Sequence, residues 1–242
     1  MKSIFLIFLL AVGCGVAVGL IRQYIYSSTA LNWLSAQSYC RKNYRDLATV
    51  TSLAENKLLL QSGSSAYRSW TGLYRKSGIW TWSDGEPFSL PNWFNNSVFL
   101  GTFQSNCVVT SSNYGFVPNY NCANNRTFYC YRFLILVREK KTWEEAQEFC
   151  RTNYTGLVSV TSESSLQQLI NGTVEMETES VWTGLRFVNG QWFWVSGEQP
   201  RSLVSMPSCP VQSYSCGALN TMTNTLNNQN CNERLNFICY WK

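Results

Sequence analysis

A chain of 242 residues with ten cysteines and no histidine lacks the commonest catalytic base, and with no Cys-x2-Cys pair it is a poor candidate for zinc. No paired carboxylates stand in a loop and no nucleophile has a neighbouring base, so no enzyme and no cofactor are expected. The net charge of +5 is spread without a dense basic run, which argues against a nucleic-acid partner.

The chain opens with Met1 and Lys2, then an uncharged apolar run from Ile4 to Ile21, interrupted by the small residues Ala17 and Gly19 and closed by Arg22. Residues 1–21 are expected to be a secretory signal peptide cleaved near Gly19. The rival is a signal anchor, because an uncharged run of about 18 residues approaches spanning length. Against the anchor, its cytosolic tail would be two residues long, and the first strand, "QYIYSS" from Gln23, leaves no room for a stalk. The expectation is therefore a secreted, extracellular chain with no membrane span once mature.

From here every landmark occurs twice. "WLSAQSYCRKNY" from Trp33 returns as "WEEAQEFCRTNY" from Trp143; "LATVTS" from Leu47 as "LVSVTS" from Leu157; "WTGLYR" from Trp70 as "WTGLRF" from Trp182. "WTWSDGE" from Trp80 then matches "WFWVSGE" from Trp192, and "TFYCY" from Thr127 matches "NFICY" from Asn236. Preserved order at an offset of 109–112 residues marks a duplication, with units at residues 22–132 and 133–242 and almost no linker. The first unit holds ten Lys/Arg against four Asp/Glu, the second eight against ten.

Each unit should begin with a helix burying Trp33, Ala36, Cys40 and Tyr44, or Trp143, Ala146, Cys150 and Tyr154. Asn32 is the expected cap of the first copy, and Thr142 with Glu145 forms a capping-box pattern in the second. A short strand follows, then a second helix, which Ser52 with Glu55 opens by another capping box in the first unit. The alternating segments "SWTGLYR", "GIWTWSDG" and "NRTFYCYR" read as antiparallel strands. Between Pro87 and Cys107, and from Gln199 to about Ser215, no period is visible and a long loop is expected.

With Cys14 in the leader, nine cysteines remain. Cys107, Cys122 and Cys130 are spaced 15 and 8 apart, as are Cys216, Cys231 and Cys239, which leaves Cys209 without a counterpart. In an oxidising compartment these are disulfides rather than metal ligands. The sequons at Asn95, Asn125, Asn153 and Asn171 agree with that address.

Two helices, the Trp-Thr-Gly-Leu segment, the Trp-x-Trp-x-x-Gly-Glu turn and the four-cysteine frame together resemble the C-type lectin-like domain, over essentially all of residues 23–242. The resemblance implies an α+β fold in which each unit has two helices, two antiparallel sheets and a long loop region. It also implies the pairs Cys40 with Cys130, Cys107 with Cys122, Cys150 with Cys239, and Cys216 with Cys231. The two long bridges would each close about 90 residues, worth roughly 4–5 kcal/mol in a chain-entropy treatment. Cys209 joins a second chain as a disulfide-linked dimer, stays free, or exchanges with Cys216.

Calcium-dependent sugar binders of this family use Glu-Pro-Asn or Gln-Pro-Asp in the long loop, and Trp-Asn-Asp shortly before the third cysteine. Neither triplet is present here. The second slot reads Val117-Pro118-Asn119 and Leu226-Asn227-Asn228, and no Asp or Glu occurs from Pro87 to Val137 or from Gln199 to Asn232. Calcium favours six to eight oxygens with several carboxylates among them, so no functional calcium site is expected. The "EPF" at Glu86 and "EQP" at Glu198 align with the turn after the Trp-x-Trp strand and are expected to be structural.

Candidate ligand-binding residues are Trp93 in the aromatic loop that also holds Phe88, Phe94, Phe99 and Phe103, Asn119 and Asn121 in the first unit, and Asn227, Asn228 and Asn230 in the second. The bland alternatives are aromatics that pin the loop to the core and solvated loop amides. The leading functional expectation is calcium-independent recognition of a glycan or protein ligand. The alternative is a disulfide-linked assembly subunit, or a signal-anchored receptor, with no sugar binding.

Overall fold

The structure is a computed structural model describing residues 17–63, 68–89, 103–111, 115–173, 176–199 and 205–242. These residues form two compact units, Arg22–Arg132 and Phe133–Trp241, the second joined by the described residues up to Ile21. Each unit is α+β.

The first unit takes up most of β1 (Ala17–Leu31), then α1 (Trp33–Asn43), β2 (Asp46–Leu47), α2 (Leu53–Gln61), β3 (Trp70–Lys76), β4 (Ile79–Trp82), β5 (Cys107–Ser111), β6 (Gly115–Tyr120) and the start of β7 (Arg126–Lys141). Helix α1 starts where the Asn32 side chain accepts from the Ser35 N–H, and its buried face is Trp33, Ala36 and Cys40. Tyr44 lies just beyond the helix and is half-buried. This face packs on Leu47, Trp70, Val109 and Phe128.

Two indoles tie helix to sheet: Trp33 Nε1 donates to the Thr71 carbonyl at 2.9 Å and Trp70 Nε1 to the Leu31 carbonyl at 2.9 Å. Buried polar atoms need such partners, and tryptophan supplies a donor with a large apolar body. A Cβ on Gly72 would lie 3.0 Å from the Leu47 carbonyl, so the close approach of β3 to β2 requires glycine.

The second unit repeats the plan with the rest of β7, α3 (Trp143–Asn153), β8 (Gly156–Leu157), α4 (Glu163–Thr173), β9 (Ser180–Val188), β10 (Gln191–Trp194), β11 (Cys216–Asn220), β12 (Thr225–Gln229) and β13 (Leu235–Trp241). Its indoles do the same work, Trp143 Nε1 bonding the Thr183 carbonyl at 2.9 Å and Trp182 Nε1 the Lys141 carbonyl at 2.8 Å. Gly184 approaches the Leu157 carbonyl as Gly72 approaches Leu47.

Within each unit the strand after the second helix is the hub. β3 is antiparallel to β4 and β5, and β9 to β10 and β11. The same hubs run parallel to the closing strands, Trp70 opposite Phe128 and Phe237 opposite Trp182. These parallel contacts stand beside the expected antiparallel pairs: partners so far apart in sequence are joined by a crossover, which permits parallel pairing where a hairpin does not.

Two further boundaries differ from the sequence reading. Strand β1 begins at Ala17, six residues before Gln23; Ile21 packs against the Leu134, Leu136 and Val158 cluster of the second unit. A run that is apolar on both faces has no period to mark where a strand starts. At α2, the Ser52 hydroxyl accepts from the Glu55 N–H at 3.1 Å, but the Glu55 carboxylate takes the Thr51 N–H at 2.6 Å instead of that of Ser52. In α3 the reciprocal box closes between Thr142 and Glu145, and at the start of α4 Ser162 and Ser165 exchange the same pair of bonds at 3.1 and 3.0 Å.

Sulfur bridges join Cys40 to Cys130, Cys107 to Cys122, Cys150 to Cys239 and Cys216 to Cys231, and Cys209 is a free, exposed thiol. Among the described residues no helix is long and apolar enough to cross a membrane.

Candidate functional site

In the first unit, the described ends of the long loop are held by rings. Phe88 meets Trp82 edge-on at 6.1 Å, and Trp82 meets Phe116 at 5.8 Å. Phe103 meets Trp80 at 5.3 Å, and the Arg75 guanidinium lies over both rings while its Nη2 bonds the Phe103 carbonyl at 2.7 Å. Phe88 and Phe103 thus anchor the loop. Trp93, Phe94, Phe99 and the sequon at Asn95 lie outside the described residues.

Asn119, the penultimate residue of β6, has a φ of 69°, a left-handed conformation that asparagine tolerates. Its Oδ1 accepts from the N–H groups of Gln104 and Ser105 at 3.0 and 2.9 Å. The side chain therefore fastens the returning loop to β6. Asn121 caps the next turn, its Oδ1 accepting from the Ala123 N–H at 3.0 Å. Beside these, Tyr120 is flanked by two cations: the Arg126 guanidinium is 4.7 Å from its ring, and Arg68 bonds its hydroxyl. Nothing in the linear pattern announced this cationic–aromatic group, because its arginines come from different segments.

In the second unit, Asn227 and Asn228 are half-buried on β12, opposite Ala218 and Gly217. The Asn227 Oδ1 accepts from the Thr225 hydroxyl at 3.2 Å. Asn230 repeats the turn of Asn121, accepting from the Asn232 N–H at 3.1 Å. Cys209 lies in the second long loop, near the Trp192 indole, which donates to the Ser208 carbonyl at 3.4 Å.

The five asparagines bring neutral oxygens, and both oxygen-directed contacts of Asn119 are already taken by backbone. The nearby carboxylate of Glu233 accepts from Gln229 Nε2 at 3.0 Å. Among the described residues, one group of metal-capable side chains clusters, Glu144 with Cys216 and Cys231; those sulfurs are bonded to each other, and Arg186 Nη1 binds the Glu144 carboxylate at 2.9 Å. This donor set does not match calcium's preference for several carboxylates.

The sequon residues Asn125, Asn153 and Asn171 are all exposed. Asn153 donates from Nδ2 to the Phe149 carbonyl at 2.8 Å, and Asn171 accepts from Gln167 at 3.2 Å. Glu86 and Glu198 lie in the turns that Gly85 and Gly197 make possible with φ of 90° and 80°.

A buried polar centre in the first unit escaped the sequence reading altogether. The Asp46 carboxylate, with its side chain 5% exposed, accepts from Arg41 Nε at 3.1 Å, the Leu47 N–H at 2.7 Å and the Ser83 hydroxyl at 2.5 Å. Burial raises its pKa above the ordinary carboxylate range, against the pull of those three donors. Next to it, Asp84 accepts from the hydroxyls of Thr49 and Tyr131 at 2.6 and 2.7 Å.

Comparison with known proteins gives one family for both units. The family model for the lectin C-type domain matches residues 29–132 and again 139–241. Human lymphocyte antigen 75 is 23% identical over 260 residues, covering 88% of this chain. Human C-type mannose receptor 2 is 26% identical over 201 residues, covering 67%. The chain spans 15% and 13% of the lengths of these two relatives. Among solved structures, human lithostathine is 22% identical with a TM-score of 0.42, covering 46% of this chain and 83% of its own. The mouse scavenger receptor C-type lectin carbohydrate-recognition domain is 26% identical with a TM-score of 0.40, covering 46% and 88%.

Proposed function

Because the chain belongs to the lectin C-type domain family in both of its halves, we propose that it is a non-enzymatic extracellular recognition protein that binds a glycan or protein ligand without calcium. Residues 1–21 hold its signal peptide, with cleavage near Gly19 that leaves Ile21 packed on the second unit, residues 22–132 and 133–242 are its two domains, and Asn95, Asn125, Asn153 and Asn171 carry its glycans. Each unit makes its own contact, the first with Trp93, Asn119 and Asn121 of its long loop and β6 end as the candidates, the second with Asn227, Asn228 and Asn230 of β12 and the turn after it.

The observation that carries the calcium-free reading is Asn119. It stands where a calcium-binding relative would place a carboxylate, and its oxygen is spent on the Gln104 and Ser105 N–H groups. A side chain that holds the loop in place has no lone pair directed at an ion. The names of the relatives support recognition as the general role, since several are receptors.

The test is a glycan-array screen of the secreted protein in millimolar calcium and again with chelator. Binding that survives the chelator is expected. Binding abolished by it would restore an ordinary calcium-dependent lectin, and silence in both conditions would remove the glycan in favour of a protein ligand. The exposed free thiol of Cys209 favours a second reading, a disulfide-linked assembly subunit.

A further inference from the structure

The repeats preserve an arginine and discard its partner. Arg41 and Arg151 follow the matched cysteines of α1 and α3, but Gly156 stands in place of Asp46 and Val195 in place of Ser83. In the first unit the arginine, the Leu47 N–H and the serine hydroxyl converge on the Asp46 carboxylate.

In the second unit, the corresponding space is a cleft of about 280 Å³ lined by Arg151, Gln147, Gly156, Val195, Ser196 and Tyr240, among others. Its size falls just below the roughly 300–1,000 Å³ of pockets that hold drug-sized ligands, which suits a single small residue. Among the described residues no carboxylate lies within ion-pair distance of Arg151. The acid one turn earlier on α3, Glu148, accepts from the Thr152 hydroxyl at 3.3 Å.

Backbone geometry keeps the second donor in place. Val158 donates to the Ile238 carbonyl, and Leu157 stands opposite Cys239. Alternation along an antiparallel ladder therefore turns the Leu157 N–H away from β13, as the Leu47 N–H is turned toward Asp46. No side chain among the described residues accepts from it. A third group awaits a partner: the Gln147 Oε1 is buried with no hydrogen-bond donor among the described residues. A buried acceptor left without a donor is destabilising, and a hydroxyl satisfies it.

We infer that this cleft binds a small hydroxylated carboxylic acid, of the uronic-acid class, as a site separate from the loops. The ligand carboxylate takes the place of the Asp46 side chain, between the Arg151 guanidinium and the Leu157 N–H, and a hydroxyl of the same ligand donates to Gln147. A charge-assisted pair of this kind is the strong element of the site. The polar lining from Ser196 and Gln147 suits the remainder of a sugar ring.

The test is NMR titration of the full chain with glucuronate, with glucose, which has the hydroxyls but no carboxylate, and with glutarate, which has the reverse. Glucuronate is expected to bind in the millimolar range and each of the others about tenfold more weakly or less. Arg151→Met should weaken glucuronate binding roughly tenfold, and Arg151→Lys should retain more of it. Gly156→Asp rebuilds the arrangement of the first unit and should block the site. Its new Cβ meets Tyr240 Cε1 at 3.4 Å, an ordinary contact, so its thermal midpoint should equal or exceed that of the parent. Midpoints read on the same samples separate lost binding from lost fold. Equal binding of glucose or of glutarate, unchanged binding in folded Arg151→Met or Gly156→Asp, or no response to glucuronate would each overturn the inference.

Discussion

Asp46 shows what one buried carboxylate does to the pH dependence of the fold. Its pKa is raised by burial more than its three donors lower it, so the folded state holds the proton more tightly than the unfolded chain. Stability is then lost as pH rises from the ordinary carboxylate range through the raised value, and levels off above it. Asp46→Asn keeps an acceptor for Leu47 and Ser83 and removes the titration. Denaturant melts across this window should show the difference between parent and variant shifting in the variant's favour as pH rises. Because the Arg41 side chain is half exposed, losing the pair should cost less than about 1 kcal/mol at neutral pH. The same position read as unremarkable in the sequence, where a single Asp-to-Gly mismatch between repeats has no periodicity to flag it. Asn119 has the opposite history. It was legible as a candidate by its place before the third cysteine, but its partners, Gln104 and Ser105, are brought to it only by the fold.

At the scale of elements, the helix starts were readable because a cap is a local contact. Asn32, Ser52 and Thr142 all accept from the N–H three residues on. Thr142→Ala should destabilise the protein by about 1 kcal/mol in equilibrium denaturation. It removes the threonine half of a reciprocal box, in which the Glu145 carboxylate takes the Thr142 N–H at 3.0 Å. That hydrogen bond, first among the causes, holds the pKa of Glu145 below the usual range. Its stabilising contribution is present above the ordinary glutamate pKa and fades as pH falls through the lowered value. Strand direction was not readable in the same way. Alternation reports which face is buried and is silent on which neighbour pairs, so the parallel contacts of β3 with β7 and of β9 with β13 waited for the structure.

Across the whole molecule, duplication preserves the frame and releases the rest. The four indole-to-carbonyl bonds and the four disulfides recur in register, while the Asp46 centre, the Arg68, Tyr120 and Arg126 group and Cys209 each belong to one unit. The recognition reading expects a monomer on non-reducing electrophoresis with one thiol titratable by an exposed-sulfhydryl reagent. A dimer that collapses on reduction, and that Cys209→Ser abolishes, would shift the balance to the assembly subunit.

The sequence by itself determined the duplication, the family, the helix caps and the cysteine that stands outside the repeated frame. All of these are patterns of spacing along one dimension, and burial of an apolar face every three or four residues leaves its mark there. Tertiary structure alone decided where β1 starts, which strands run parallel, that Asn119 serves the loop, and that losing one carboxylate left a cleft beside Arg151. Each of those depends on atoms far apart in the chain meeting at hydrogen-bond distance, and spacing carries no record of which distant partners meet.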